Sequence, residues 1–443
     1  MKKLIALLLA LVMVLGLAAC NKAPVETTPA TTGAAQETEA AATGSVYWLN
    51  FKPESDEALQ EIAAMYTEET GVEVKVVTAA SGTYEETLTA QMDKSDAPTM
   101  FVVGNSNAVN SWGDYCLDLT DTDIAKELNT DAYMLYDADG KLCSIGYCYE
   151  AYGIIVNKAL LAEAGHELSE ITNFETLKAV VEDIHARADE LGFDAFGSAG
   201  MDDSSSWRFT GHLINLEYYY ESVDAPEKWE ECPAELTGAY MDNFKNLYDL
   251  IVTNSMTDRK DLANGGFDGQ AEFKEGKCVF YPQGNWEYSG ISEAIAAEDL
   301  AMIPYYCGVE GEEKAGLCCG TENYWAVNAE ASEEDIEATL AFMKWLVTDP
   351  EASAKAVATF GVMPYKSAVA SDNPFLAQAN DYLANGCYNM WWATNYQPNV
   401  NDYRSTAVSA INAYNADPTD ANWETVVTAF IGGWSVQYQA ANG

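Results

Sequence analysis

Between Val46 and Val103 the sequence reads as strand, helix, strand, helix, strand, and no other feature constrains the fold as much. Val46 to Phe51 is an apolar, β-prone run. From Asp56 the apolar residues Leu59, Ile62, Ala63 and Tyr66 recur on one helical face, with Gly71 as the stop. Val72, Val74 and Val76 then alternate with polar residues. Thr83 to Glu86 reads as a capping box opening a second helix through Leu88 and Met92, which Pro98 ends. Met100 to Val103 is a third apolar strand. Strands separated by single helices have room only for crossover connections, so these three predict a parallel sheet. The ligands of such sheets sit beyond the strand C-termini, here at 52–55, 79–83 and 104–110.

The rest of the chain keeps the α/β character. Helical stripes are predicted at Phe174, Leu177, Val180, Val181 and Ile184 (capped by Thr172 and Glu175), at Met241 to Ile251, and at Ile336 to Val347. Asp349 and Pro350 then read as cap and first turn of a further helix. Short strands are expected at Gly153 to Val156, Lys277 to Tyr281 and Tyr324 to Val327. Tyr136 to Gly140 has the look of a calcium loop but lacks its later acidic ligands, and reads as a hairpin turn.

Charge excludes whole classes of partner. The 443 residues hold 69 Asp and Glu against 23 Lys and Arg, a net charge of −46. Such a surface repels phosphate backbones and anionic headgroups, so nucleic acid is excluded and a membrane can be held only through an anchor. With three histidines, His166, His185 and His212, no multi-histidine metal site is expected, and neither metal nor cofactor is called for. The N-terminus supplies the anchor. Lys2 and Lys3 precede an apolar run from Leu4 to Ala19, too short to span a bilayer and suited to a signal peptide. It ends Leu-Ala-Ala-Cys20, which resembles a bacterial lipobox with Cys20 as the lipidated residue. Residues 21–44 carry no aromatic residue and read as a flexible tether. The expected location is the outer face of the cytoplasmic membrane, in an anaerobe of the Gram-positive type. The cysteines beyond Cys20 are odd in number, include the adjacent Cys318 and Cys319, and read as buried free thiols rather than a disulfide framework.

Catalytic motifs are missing. There is no nucleophile elbow, phosphate loop, dinucleotide fingerprint or zinc helix. Aromatic residues are abundant instead, with 11 Trp, 26 Tyr and 14 Phe. Several tryptophans stand beside asparagine or in polar loops: Trp207, Asn285-Trp286, Asn323 near Trp325, and Trp391-Trp392 before Asn395. An aromatic face stacks on the C–H face of a sugar ring while neighbouring amides and carboxylates bind its hydroxyls. Core packing is the competing explanation for any one of them.

Three further stretches carry a resemblance. Gly146 to Gly165 is similar to a crossover strand followed by Asn-Lys and a helix. Phe273 to Ile291 is similar to a helix, Gly-Lys, strand and Gly-x-Trp turn, and Ala338 to Pro364 to a late helix pair. In this order they resemble the solute-binding proteins of bacterial ABC sugar importers, the family that includes the maltose-binding protein, over residues 46–435. The resemblance implies an α/β fold of two lobes with a hinge and a ligand cleft between them, residues 45–148 with 320–366 forming one lobe and 152–316 with 370–443 the other. It implies a monomeric, non-enzymatic receptor that captures an oligosaccharide by hinge closure and delivers it to permease subunits. The implied ligand residues are Glu150, unless it pairs with a lysine across the hinge, Trp286 with Asn285, Lys52 and Glu54, and Asn105 and Asn107. Trp207, Asn323, Trp391 and Trp392 join them on chemistry alone. A polyamine or other cationic solute on the same fold is one rival reading, and a surface glycoside hydrolase the other.

Overall fold

The computed structural model describes residues 44–202 and 205–442. The expected signal peptide, Cys20 and the expected tether up to residue 43 lie outside the described residues. The strands are β1 (Ser45–Asn50), β2 (Glu73–Thr78), β3 (Met100–Val102), β4 (Met134–Tyr136), β5 (Leu142–Gly146) and β6 (Glu150–Asn157). They continue with β7 (Asp194–Phe196), β8 (Cys278–Gly284), β9 (Leu300–Ile303), β10 (Ala315–Gly320), β11 (Tyr324–Val327) and β12 (Tyr388–Trp391).

They form two sheets. The first has the order β2-β1-β3-β11-β5-β4. Its β1, β2 and β3 are parallel, as the alternation with helices predicts, and β11, β5 and β4 extend it antiparallel. The second has the order β12-β10-β6-β8-β7, with β9 also paired to β6. The first sheet has one core of its own and the second has two, the smaller about Ile155, Phe273 and Phe375. Trp48, Leu49, Ile62, Phe101, Trp325 and Phe342 pack about the first, and Ile154, Val156, Leu177, Phe244, Phe280 and Trp434 about the second. Burying both faces of a sheet requires apolar side chains on both, hence the near-continuous apolar runs of β3 and β6.

The chain passes between the sheets three times, at 147–149, 321–323 and 361–373. These crossings are tied to one another: Tyr147 N donates to Asn323 O at 2.9 Å and Tyr149 N to Val362 O at 2.7 Å. A few backbone segments joining two separately packed bodies are the geometry of a hinge. The fold is thus α/β, of two lobes with a hinge and a cleft between them.

Helix stops follow the sequence closely. Gly71 closes the first helix, Asp56–Thr70, in the left-handed region with φ +78°, and Asp349 caps the helix Pro350–Phe360 through the amides of Glu351 and Ala352. Two caps differ from expectation. Thr83 precedes the helix Tyr84–Met92, yet its hydroxyl donates to Ala80 O in the preceding turn, so no capping box forms. The helix Phe174–Ala186 is capped by Asn173, not Thr172, and Thr176 completes a capping box. The run 136–140 is a hairpin turn, in which Asp137 Oδ1 accepts from the amides of Asp139 and Lys141 at 3.0 and 2.9 Å. The cysteines within the described residues are free thiols, buried except for the half-buried Cys232 and Cys387.

Candidate functional site

Lys52 follows β1 at the C-terminal end of the parallel strands. Buried Asn50 fixes it there, its Nδ2 donating to Lys52 O at 2.7 Å and its Oδ1 accepting from Lys52 N at 3.0 Å. Glu150 is the first residue of β6, immediately past a crossing. Lys52 Nζ donates to Glu150 Oε1 at 2.7 Å and lies 3.1 Å from Glu54 Oε1. Asn323, on a second crossing, donates to Glu150 Oε2 at 2.6 Å, and its own Oδ1 accepts from Tyr147 Oη at 3.1 Å. Residue exposures of 5% for Lys52 and 2% for Glu150 make this a dry ion pair. Burial opposes the charge on Lys52, but Glu150 and then Glu54 hold its pKa well above the lysine range. Burial likewise raises the Glu150 carboxyl, opposed by Lys52. The short contact and the Asn323 donor favour the ionised pair.

Beside this pair stands a box of aromatic rings. Gly284 ends β8, and a Cβ there would lie 2.2 Å from the Trp286 ring, so only glycine lets the indole fold back across the strand end. Trp286 Nε1 donates to Gln283 Oε1 at 3.1 Å, which fixes the ring plane. Its centre is 5.3 Å from His212 and 6.4 Å from Trp207. Both sit at the π-helical turn Arg208–Leu213, Trp207 immediately preceding it, with Trp207 4.8 Å from His212. His212 stacks on Tyr152 of β6 at 4.1 Å, nearly parallel, and Trp392 packs 5.2 Å from Tyr152. Lys52 Nζ lies 5.6 Å over the Trp286 ring, joining the ion pair to the box.

Five buried polar atoms within this cluster have no hydrogen-bond partner among the described residues: Arg208 Nε, His212 Nδ1, Tyr152 Oη, Gln283 Nε2 and Trp392 Nε1. Buried polar groups are otherwise nearly always paired, so such a concentration marks a surface built to be satisfied by something else. His212 is a neutral imidazole, its pKa held well below the usual value by burial and then by Arg404, Arg208 and Lys52.

Lys52, Glu54, Glu150, Trp207, Trp286, Asn323 and Trp392 are therefore brought together. The remaining candidates are employed elsewhere. Asn105 caps the helix Ser106–Trp112, accepting from Ala108 N at 2.9 Å. Asn107 Nδ2 donates to Tyr396 O at 3.1 Å, a contact across the two lobes. The Oδ1 of Asn285 accepts from Ala151 N at 2.7 Å and its backbone oxygen from Asn373, so this residue braces the hinge, while its buried Nδ2 has no partner among the described residues. Trp391 packs on Trp229 and Tyr396, away from the box. Sequence reasoning missed Tyr152, Arg208, His212, Gln283 and Arg404. The rarity of histidine and the Trp207-Arg208 pair in a polar stretch were the available signals; Arg404 and Tyr152 had none, because a helix and a core strand carry them.

No cluster of three or more His, Cys, Asp or Glu that could hold a metal exists among the described residues. No described helix is long and apolar enough to cross a membrane.

Comparison with known proteins gives the frame for this cleft. No curated protein sequence matches. Among solved structures, the fold is similar to that of the solute-binding protein RafE in complex with raffinose (19% identity, 88% of this chain and 99% of that chain covered, TM-score 0.69). It is similar to a Bacillus licheniformis sugar transporter in complex with stachyose (17% identity, 89% and 100% covered, TM-score 0.64). It is also similar to UgpB from Mycobacterium tuberculosis in complex with glycerophosphocholine (19% identity, 90% and 99% covered, TM-score 0.64). Over residues 61–384 the sequence itself matches a family model, and on that match the chain belongs to the bacterial extracellular solute-binding proteins.

Proposed function

We propose that the protein is a carbohydrate receptor, with an oligosaccharide as ligand, which hands its ligand to the permease of an ABC importer. One observation carries the reading: flat rings of Trp207, Trp286 and His212 stand among orphaned polar atoms and a fixed Lys52–Glu150 pair, in a cleft between hinged lobes. Rings cover the C–H faces of a pyranose, and the polar atoms meet its hydroxyls. The raffinose and stachyose complexes of proteins with this fold support the same ligand class. Because only the closed state lets both lobes touch the ligand, binding shifts the hinge equilibrium toward closure. No bond is made or broken, and no nucleophile or base is needed.

In this reading lipidated Cys20 and the tether behind it hold a monomeric domain outside the cytoplasmic membrane, with residues 45–148 and 320–366 as one lobe and 152–316 and 370–443 as the other. A thermal-shift screen against mono- and oligosaccharides, with spermidine alongside, tests it. A ligand at 100 times its Kd adds about 2.7 kcal/mol to the folded state, a rise of a few degrees in Tm. A shift with a saccharide series and none with spermidine supports the reading. A shift with spermidine alone, or release of reducing ends from a glycan, overturns it.

A further inference from the structure

Two guanidinium groups border the aromatic box, and neither has an ion-pair partner among the described residues; the arginines that do pair are Arg187 and Arg259. Arg208 places its guanidinium carbon 5.1 Å from the Trp207 ring centre and 6.0 Å from that of Tyr281, with its Nε buried and unbonded. Arg404, on the helix Val400–Ala416, donates its Nε to Gln397 Oε1 at 2.8 Å. Its Nη2 lies 2.9 Å from the place a Cβ on Gly211 would take, so the missing side chain of Gly211 is what admits the guanidinium to the turn carrying His212.

The nearby carboxylates are engaged or distant. Glu150 and Glu54 share Lys52. Glu287 Oε2 accepts from Gln270 Nε2 at 2.7 Å and from Tyr281 Oη at 3.3 Å, and its charge acts on Arg208 through space without forming an ion pair with it. Glu322 acts on Arg404 through space without pairing with it. The charges acting most on His212 are all positive, namely Arg404, Arg208 and Lys52. Two guanidinium groups without an ion-pair partner among the described residues, set beside the aromatic box and the turn carrying His212, call for an anion.

Resting on the carbohydrate reading above, we propose that the saccharide bound here carries an anionic group, a carboxylate or a phosphate ester, which Arg404 and Arg208 bind beside His212. The planar guanidinium fork matches two oxygens of either group, and desolvation by the surrounding rings strengthens the contact. Hydroxyl binding alone does not explain the two arginines, because a neutral sugar leaves both half-buried guanidinium groups with no ion-pair partner among the described residues.

Calorimetric titration of the full chain tests this with charged and uncharged counterparts: digalacturonate against galactobiose, glucose 1-phosphate against glucose, and inorganic phosphate. The expected result is at least tenfold tighter binding of one acidic saccharide than of its neutral counterpart, and the pair that shows it distinguishes a uronate from a phosphate ester. Arg404→Gln and Arg208→Gln should each reduce that ratio, Arg404→Lys should reduce it less, and Glu322→Gln should raise it. Equal or tighter binding of the neutral sugar overturns the inference and leaves the carbohydrate reading intact. Inorganic phosphate binding as tightly as the sugar phosphate overturns it as well. Binding by no saccharide, in a chain that melts cooperatively, removes the carbohydrate reading and this inference together.

Discussion

Lys52 Nζ sits 2.7 Å from Glu150 Oε1, and this contact joins the end of β1 in one sheet to the start of β6 in the other. The pair is closed off from water, and its carboxylate accepts a second bond from Asn323 on a neighbouring crossing. A buried pair in this place ties the two lobes together beside the hinge.

Breaking the pair on one side leaves a buried charge uncompensated. Lys52→Met or Glu150→Gln is expected to cost about 3–5 kcal/mol in urea denaturation, and the double variant to recover much of that loss. Equal loss in the single and double variants would show that the pair contributes nothing beyond its separate parts.

Trp286 and Trp392 should separate binding from stability. Trp286 is half-buried and held by one side-chain bond, so Trp286→Ala should abolish saccharide binding with a modest drop in Tm. Trp392 is 3% exposed, and Trp392→Ala should cost about 3–5 kcal/mol through the cavity it leaves. Fluorescence titration and thermal melts on both variants read the difference.

Glu217 makes stability pH-dependent. Burial, then the hydrogen bond and charge of Glu221, push the Glu217 carboxyl up to about 9. Below pH 4.5 the group is protonated in folded and unfolded chains alike. Between there and pH 9 the unfolded chain releases the proton and the folded one keeps it, so stability falls as pH rises. Glu217 Oε2 accepts from Tyr240 N at 2.6 Å, a bond that Glu217→Gln can keep through its carbonyl. Urea midpoints from pH 5 to 9 should decline less steeply in that variant than in the parent.

The thiols should be inert in the native state. Burial raises Cys116, Cys148, Cys278, Cys307 and Cys318 far above the ordinary thiol range, which removes the reactive thiolate. Within residues 44–442 an aromatic disulfide reagent should titrate at most the half-buried Cys232 and Cys387 until denaturant is added. Rapid reaction of more thiols in the folded chain would contradict the burial.

Contacts across the lobes should tune closure. Asn107 Nδ2 to Tyr396 O at 3.1 Å and Asn401 Nδ2 to Glu86 Oε1 at 3.0 Å exist only while the lobes are together. Asn107→Ala should weaken ligand binding by about 1 kcal/mol, roughly fivefold, without moving Tm. Small-angle scattering should show a larger radius of gyration for the ligand-free variant than for the ligand-free parent.

Local pattern was enough to place β1, β2 and β3 as parallel strands, to end a helix at Gly71 and to cap another at Asp349, because each depends on residues a few positions apart. Chemistry and family resemblance together nominated Lys52, Glu150 and Trp286, each at or just beyond a strand end. The sequence could not say that Glu150 and Lys52 neutralise one another, since 98 residues separate them. Nor could it separate Trp286, folded over Gly284 at the cleft, from Trp391, packed on Trp229, because one just follows a strand and the other ends one, each next to asparagine or tryptophan. Tertiary structure alone brought Arg404 against Gly211 beside His212, from a helix whose pattern gives no hint of a site. Periodicity records which face of an element is buried. What lies opposite that face depends on three chain crossings and three separate cores, and only the folded chain decides it.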